Sequence, residues 1–281
     1  MNNTDLKLSA NDYAKLCEFV YDRTGIRFTE NNRDFVEYRL GKRIKDTNQK
    51  DVSDYLYFMK YDASGKEMRT FFDLLTTNET FFHRDLPQLM VFVKKVMPLV
   101  LQRKSRDGNS NIRIWSAACS VGCEPLSLAI LLREELPQFP LWRFEILATD
   151  ISPSVLKVAQ DGLYTDREIQ FIPEAHQKKY FTRSGDYWKI SAELKNSVKF
   201  STLNLVDQKA MASMCNFDVV FCRNVLIYFD GASRDKVLDN LYESLVDGGY
   251  IFLGHSEFLS QMSRSFRMER IGTDIVYMKP E

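Results

Sequence analysis

No apolar run in this 281-residue chain is long enough to cross a bilayer as a helix. The opening residues, Met1-Asn2-Asn3-Thr4-Asp5, lack the cationic and apolar regions of a signal peptide, so the expectation is a cytoplasmic protein. Net charge is absent as well. The 38 basic and 38 acidic side chains cancel, leaving no overall field to steer the chain onto nucleic acid or an acidic membrane. Cysteines number five, an odd count spread over a long chain, which argues for reduced thiols rather than a disulfide framework. Cys119 and Cys123 lie four apart, but there is no second close pair and the three histidines are isolated, so no metal is expected. Internal repeats and low-complexity tracts are missing too.

Against these absences stands a hydrophobic fraction of 44%, enough for an ordinary globular core. Residues 1–77 read as a small all-helical module. Tyr13, Leu16, Cys17, Val20 and Tyr21 share a helical face, and Val36, Leu40 and Ile44 recur every four residues. From about residue 95 strands alternate with helices. The strands fall at 112–117, 144–149, 198–203, 217–222 and 249–254. A closing antiparallel pair, at 266–271 and 273–279, turns at Gly272-Thr273. That alternation predicts an α/β fold with a mostly parallel sheet covered on both faces, in a domain spanning 95–281. A small β insertion around 178–198 contains a hairpin turned at Ser184-Gly185. Residues 78–94 form the expected linker. Its neighbourhood, Thr76 to Arg84, mixes polar and aromatic residues without period and reads either as a docked linker or as part of a ligand site at the junction.

The first strand runs into a small-residue turn, Trp115-Ser-Ala-Ala-Cys-Ser-Val-Gly-Cys-Glu-Pro125, and then a helix. Such a turn lets backbone approach a ligand at the open end of a parallel sheet. The second strand ends on Asp150, the position of an acid that holds ribose hydroxyls. Only Gly122 is present where a dinucleotide fold carries Gly-x-Gly-x-x-Gly, which counts against NAD or FAD. A cofactor with adenosine and an amino-acid tail but no pyrophosphate fits better, and S-adenosylmethionine is that molecule. Glu124 reads either as a partner for its ammonium group or as an acid favoured by the helix dipole.

At this point five motifs in order carry a resemblance. Thr76-Thr-Asn-Glu-Thr-Phe-Phe-His-Arg84, the turn 115–125, Ala148-Thr-Asp-Ile151, Phe221-Cys-Arg-Asn-Val-Leu-Ile-Tyr-Phe-Asp230 and Gly254-His-Ser-Glu257 resemble the chemotaxis receptor methyltransferases, the CheR family. The resemblance covers nearly the whole chain. It implies a Rossmann-like S-adenosylmethionine-dependent methyltransferase sheet with a helical N-terminal receptor-docking domain. It also implies methyl transfer to glutamates on the cytoplasmic helices of chemoreceptors, with S-adenosylhomocysteine as product. By match to the motifs, the cofactor contacts are Asn78, Thr80, Arg84, Glu124, Asp150, Asn204, Leu205, Asn224 and Val225.

No essential acid or base is expected, because a glutamate is already ionised at neutral pH. Arg84 is the candidate for charge complementarity near the cofactor tail. Tyr228 is either substrate-lining or a core aromatic. His255 reads as structural or substrate-lining, and His176 as solvent-facing. On the helix around 31–46, Arg39, Lys42 and Arg43 are expected on one outer face, either simply solvated or, as the resemblance suggests, docking on acidic receptor helices. Arg103, Lys104 and Arg106 form a second basic cluster, expected in a loop and without an assigned role. The chain departs from the family pattern at Cys123, at Leu126 and in its short hairpin. The last of these predicts an enzyme that does not need a receptor C-terminal tether peptide. Association with receptor arrays as a monomer completes the expectation. The alternatives are a cofactor-binding regulatory module without turnover and a small-molecule methyltransferase. An RNA methyltransferase would want a basic stripe that the neutral composition lacks.

Overall fold

The computed structural model describes residues 6–76, 79–257, 266–272 and 274–281. Four helices make the first module: α1 Ala10–Thr24, α2 Arg33–Asp46, α3 Val52–Tyr61 and α4 Lys66–Leu75. The periodic apolar residues pack inward as the sequence predicts, with Leu16, Val20, Val36, Leu40, Met59 and Phe71 buried together. Ser9 caps α1 by accepting from the Asp12 N–H. Gly25 ends α1 at φ 71°, where a Cβ would lie 2.8 Å from Val206 Cγ1 in the other module. Close packing of the two modules therefore begins at this glycine.

One expectation about this module fails at Arg43. Its guanidinium is not displayed outward with Arg39 and Lys42. Nε and Nη2 grip Glu67 at 2.8 and 2.7 Å, and Tyr55 donates its hydroxyl to the same carboxylate at 2.7 Å. A nearly buried carboxylate needs charge and hydrogen-bond partners, and Arg43 supplies both. Lys42 is exposed. Arg39 is half-buried, lying over the Phe35 ring at 4.0 Å.

The second module is built on seven strands: β1 Asn111–Ala117, β2 Arg143–Asp150, β3 Val198–Thr202, β4 Phe217–Cys222, β5 Leu245–Leu253, β6 Arg267–Ile271 and β7 Asp274–Met278. They lie in the order β3-β2-β1-β4-β5-β7-β6. The pairs among β1 to β5 are parallel, whereas β7 is antiparallel to both β5 and β6. Thr273, at the expected hairpin turn, lies outside the described residues. Alternate residues enter two cores. Ile112 and Ile114 pack on one face of the sheet, and Trp115 and Ala117 on the other.

Two boundaries differ from the sequence reading. The expected linker 78–94 overlaps a helical stretch that begins at Leu86 and runs to Arg106, passing through a π turn at Phe92–Val96. The wide turn immediately precedes Pro98, which has no N–H to return to the carbonyl four residues back. The basic cluster at 103–106 is the end of this helix rather than a loop. Arg103 and Lys104 close on the fully buried Asp218 at 2.8 and 3.0 Å. In the insertion, Phe181–Ser184 pairs with Tyr187–Ile190 around a turn at Gly185-Asp186, one residue later than expected, and Leu163–Tyr164 adds a third strand. The later turn suits Gly185, whose φ is +60°.

Candidate active site

The carboxyl ends of β1 to β4 open on one side of the sheet, and a cavity of about 510 Å³ lies there. That size suits a small-molecule cofactor. Every sequence-predicted cofactor residue among the described ones lines it: Thr80, Arg84, Glu124, Asp150, Asn204, Leu205, Asn224 and Val225, together with Tyr228. Asn78 lies outside the described residues. His255 does not line the cavity. Its ring is 3.7 Å from Asp85 and its side chain is 60% exposed. His176, expected to face solvent, is instead mostly buried beside Glu134 at 3.8 Å.

Asp150 is held at the end of β2 by backbone alone. Its Oδ1 accepts the Ser152 N–H at 3.0 Å and its Oδ2 the Ser120 N–H at 2.8 Å. Burial pushes the carboxyl above the ordinary carboxylate value, against the downward pull of those two N–H groups. An ionised carboxylate has about four lone-pair sites, so there is capacity for hydroxyl donors such as a ribose diol. The turn that delivers the Ser120 N–H is unusual. Ala118 and Ser120 both adopt left-handed backbone, at φ 60° and 50°. Cys119 ties this turn across the sheet by donating its N–H to the Thr149 carbonyl at 2.9 Å. Non-glycine residues in this region store strain that the surrounding structure must hold, and such strain clusters at functional sites. Gly122, at φ 85°, completes the turn. A Cβ there would meet Ala159 at 2.9 Å and the Phe200 ring at 3.1 Å.

Glu124 sits in the first turn of the helix Cys123–Glu135, where the dipole favours it, and also faces the cavity. Its Oε1 accepts from Ser116 Oγ at 2.7 Å and its Oε2 from Arg223 Nη1 at 3.0 Å. Arg223 carries a role that sequence reasoning missed. Its side chain is 2% exposed, and its Nη2 also reaches Asp85 at 2.5 Å and the Arg84 carbonyl at 3.1 Å. One buried guanidinium thus binds the β4 end, the Glu124 carboxylate and the junction segment into a single wall. Its partners lie far along the chain, at Glu124 and in the junction segment, where no local signal pairs them with Arg223.

Glu257 was missed in the same way. Buried at 6% exposure, it accepts the N–H groups of Asn224 and Gly254, both at 2.8 Å. It thereby pins the loop after β4, with Asn224 held at φ 60°. Gly254 is required because a Cβ would lie 2.7 Å from Glu257 Oε2.

The helical module supplies the remaining wall. Ile26 makes an antiparallel bridge with Phe229, Asn204 Nδ2 donates to the Arg23 carbonyl at 2.6 Å, and Tyr21 donates to Asp230. Arg27, Asn31, Asn32 and Phe35 face the cavity from this side. Asn204 therefore both lines the cavity and ties the two modules together.

An acid closing β2 beside a cavity at the carboxyl edge of an open sheet is what an S-adenosylmethionine-dependent methyltransferase requires. The family model described as "CheR methyltransferase, SAM binding domain" matches residues 78–275, and that described as "CheR methyltransferase, all-alpha domain" matches 11–76. The chain belongs to the CheR methyltransferase family. Among curated relatives, chemotaxis protein methyltransferase 2 of Vibrio cholerae is 34% identical, covering 98% of this chain and 95% of its own. The chemotaxis protein methyltransferases of Borreliella burgdorferi and Escherichia coli are each 33% identical. They cover 91% and 94% of this chain and 90% of their own length. S-adenosylmethionine is the cofactor, and the donor set fits it, with the buried Asp150 carboxylate still able to accept. No helix among the described residues is long and apolar enough to cross a membrane.

Proposed function

We propose that this methyltransferase esterifies glutamate side chains on the cytoplasmic helices of chemoreceptors. Its relatives are named chemotaxis protein methyltransferases, and one observation in the site carries the acceptor chemistry. Among the described residues lining the cavity there is no histidine or lysine. The lining carboxylates are engaged: Glu124 with Arg223 and Ser116, Asp150 with backbone N–H groups, and Glu79 with Arg167. An amine or alcohol acceptor would need a base to take its proton. A carboxylate acceptor is ionised at neutral pH and needs none.

When bound, S-adenosylmethionine supplies an activated methyl on a sulfonium sulfur, whose bonding pair leaves with the sulfur as S-adenosylhomocysteine forms. The chain's part is positioning and exclusion of water. In this reading Asp150 takes the ribose hydroxyls, Glu124 the ammonium group and Arg84 the carboxylate of the amino-acid tail. Thr80, Asn204, Leu205, Asn224 and Val225 complete the cofactor contacts, with Asn78 alongside them. Tyr228 stands at the acceptor side. Lys42 and Arg39 offer positive charge on α2 for acidic receptor helices, in a cytoplasmic array. The short hairpin at 181–190 supports recruitment without a tether peptide.

Two titrations and one assay test this. Calorimetry with S-adenosylmethionine and S-adenosylhomocysteine should show binding in wild type and its loss in Asp150→Ala. Incubation with a receptor cytoplasmic fragment should then yield base-labile methyl esters on glutamate. Cofactor binding with methyl transfer only to a small molecule, or with no transfer to any acceptor in a substrate panel, would sink the proposal.

A further inference from the structure

The loop between α1 and α2 brings a cation to the cavity that none of the motifs contains. Ile26 bridges Phe229 in antiparallel fashion, and the Arg27 N–H donates to the Tyr228 carbonyl at 3.2 Å. In an antiparallel pairing the residues directly opposite share one side of the backbone, with Cβ atoms about 4.5–5.5 Å apart. Arg27 therefore stands beside Tyr228, and both line the cavity.

Three arginines line it in all among the described residues. Arg223 is buried, with both of its terminal nitrogens taken by Glu124, Asp85 and the Arg84 carbonyl. Arg84 lies in the junction segment, donating to the Glu79 carbonyl at 3.1 Å, on the cofactor side. Arg27 is different. Its side chain is 61% exposed, and its ion pair is a long one, 3.4 Å to Asp230. Asp230 already accepts from Tyr21 and from the Ser233 N–H, so it has partners without Arg27. A guanidinium has five N–H donors in a planar fork shaped for a carboxylate. Arg27 thus combines a largely exposed fork held by one long ion pair, a place on the cavity wall and a phenol at its side.

We infer that Arg27 is the residue that receives the acceptor carboxylate, holding the substrate glutamate at the cavity mouth beside Tyr228 and selecting glutamate over glutamine by charge. This assignment rests on the acceptor being a receptor glutamate. It gives the helical module a share in the chemistry as well as in docking.

The test is steady-state methylation of a chemoreceptor cytoplasmic fragment by wild type, Arg27→Gln, Arg27→Lys and Asp230→Asn. S-adenosylmethionine affinity and melting temperature are measured alongside. Arg27→Gln should raise the acceptor KM about tenfold or more, the loss expected for a hydrogen bond to a charged group. Its cofactor affinity and melting temperature should stay at wild-type values, and Arg27→Lys should recover most of the loss. Asp230→Asn, which keeps the cap on the Ser233 N–H, should leave the acceptor KM unchanged or lower it. Added salt should weaken acceptor binding more in wild type than in Arg27→Gln. An unchanged acceptor KM in Arg27→Gln, on an active wild type, would overturn the assignment alone. So would an Asp230→Asn variant that loses as much as Arg27→Gln, because Arg27 would then act only through the module clasp. A wild type that binds cofactor but methylates no receptor glutamate would overturn both the assignment and the function beneath it.

Discussion

Replacing Arg223 with methionine keeps the volume of the buried side chain and removes its charge and fork. Three contacts go at once: Glu124 at 3.0 Å, Asp85 at 2.5 Å and the Arg84 carbonyl at 3.1 Å. Two carboxylates then face each other without the cation between them. Breaking a buried pair from one side costs about 3–5 kcal/mol. Here the Glu124 and Asp85 side chains are 14% and 28% exposed beside a cavity. Water reaches them in part, and a cost of about 2–3 kcal/mol is the better expectation. At roughly 2–4 °C per kcal/mol for a chain of this size, the melting temperature should fall by about 4–12 °C. Cofactor affinity should fall as well, because Glu124 and the Arg84 segment lose their common anchor, and a loss of about 30- to 150-fold matches that energy. Arg223→Lys should recover part of the stability and little of the affinity, since one ammonium cannot reproduce a fork that reaches three acceptors. Scanning calorimetry and cofactor titration read both quantities. An Arg223→Met protein that melts and binds like wild type would refute the reasoning, and one that melts lower but binds normally would reduce Arg223 to a structural tie.

Gly122→Ala places a Cβ 2.9 Å from Ala159 on a backbone at φ 85°, and should cost about 2–4 kcal/mol in urea unfolding through strain and overpacking. Arg43→Ala should destabilise the protein by about 2–3 kcal/mol because Glu67 and Tyr55 lose their cation, whereas Lys42→Ala should stay within about 0.5 kcal/mol in the same measurement. The proposed receptor docking is therefore better probed at Lys42 than at Arg43. His83 is buried, and burial with His176 nearby lowers its imidazole to about 4 from an ordinary value near 6.5. A depressed histidine favours the unfolded chain once protons are available. Its contribution is thus intact above about pH 6.5 and erodes as pH falls toward 4, by about 3 kcal/mol in total. Denaturant midpoints across that range should fall less steeply in His83→Asn, a substitution suited to the residue's φ of 60°; an identical pH profile would count against the buried neutral histidine.

Much of the architecture was legible because the signals are local. The four-residue spacing of Val36, Leu40 and Ile44, and apolar runs such as 217–222, specify helix and strand without reference to anything distant. Asp150 could be placed because a strand end is a definite position. What escaped were contacts across the chain. The partners of Arg223 lie 99 and 138 residues away, and nothing in Phe221-Cys-Arg-Asn-Val announces them. Arg43 looked like an exposed helix cation because Val36, Leu40 and Ile44 point inward, and only Glu67, 24 residues on, draws it toward the core. Arg27 belongs to no motif at all, and its place at the cavity depends on a single backbone bridge to Phe229.

That bridge has a consequence for engineering. Because residues 26–29, Asn31, Asn32 and Phe35 line the cavity, the helical module is not a detachable part. Grafting it onto a related catalytic domain at the seam between the two modules would transplant a wall of the cavity along with the proposed docking surface. Gly25 would then face a foreign surface in place of Val206 and Phe229. A chimera that redirects the enzyme to another receptor should therefore keep 25–35 matched to its own 203–206 and 225–230, and exchange only the outward faces of α2 and α3.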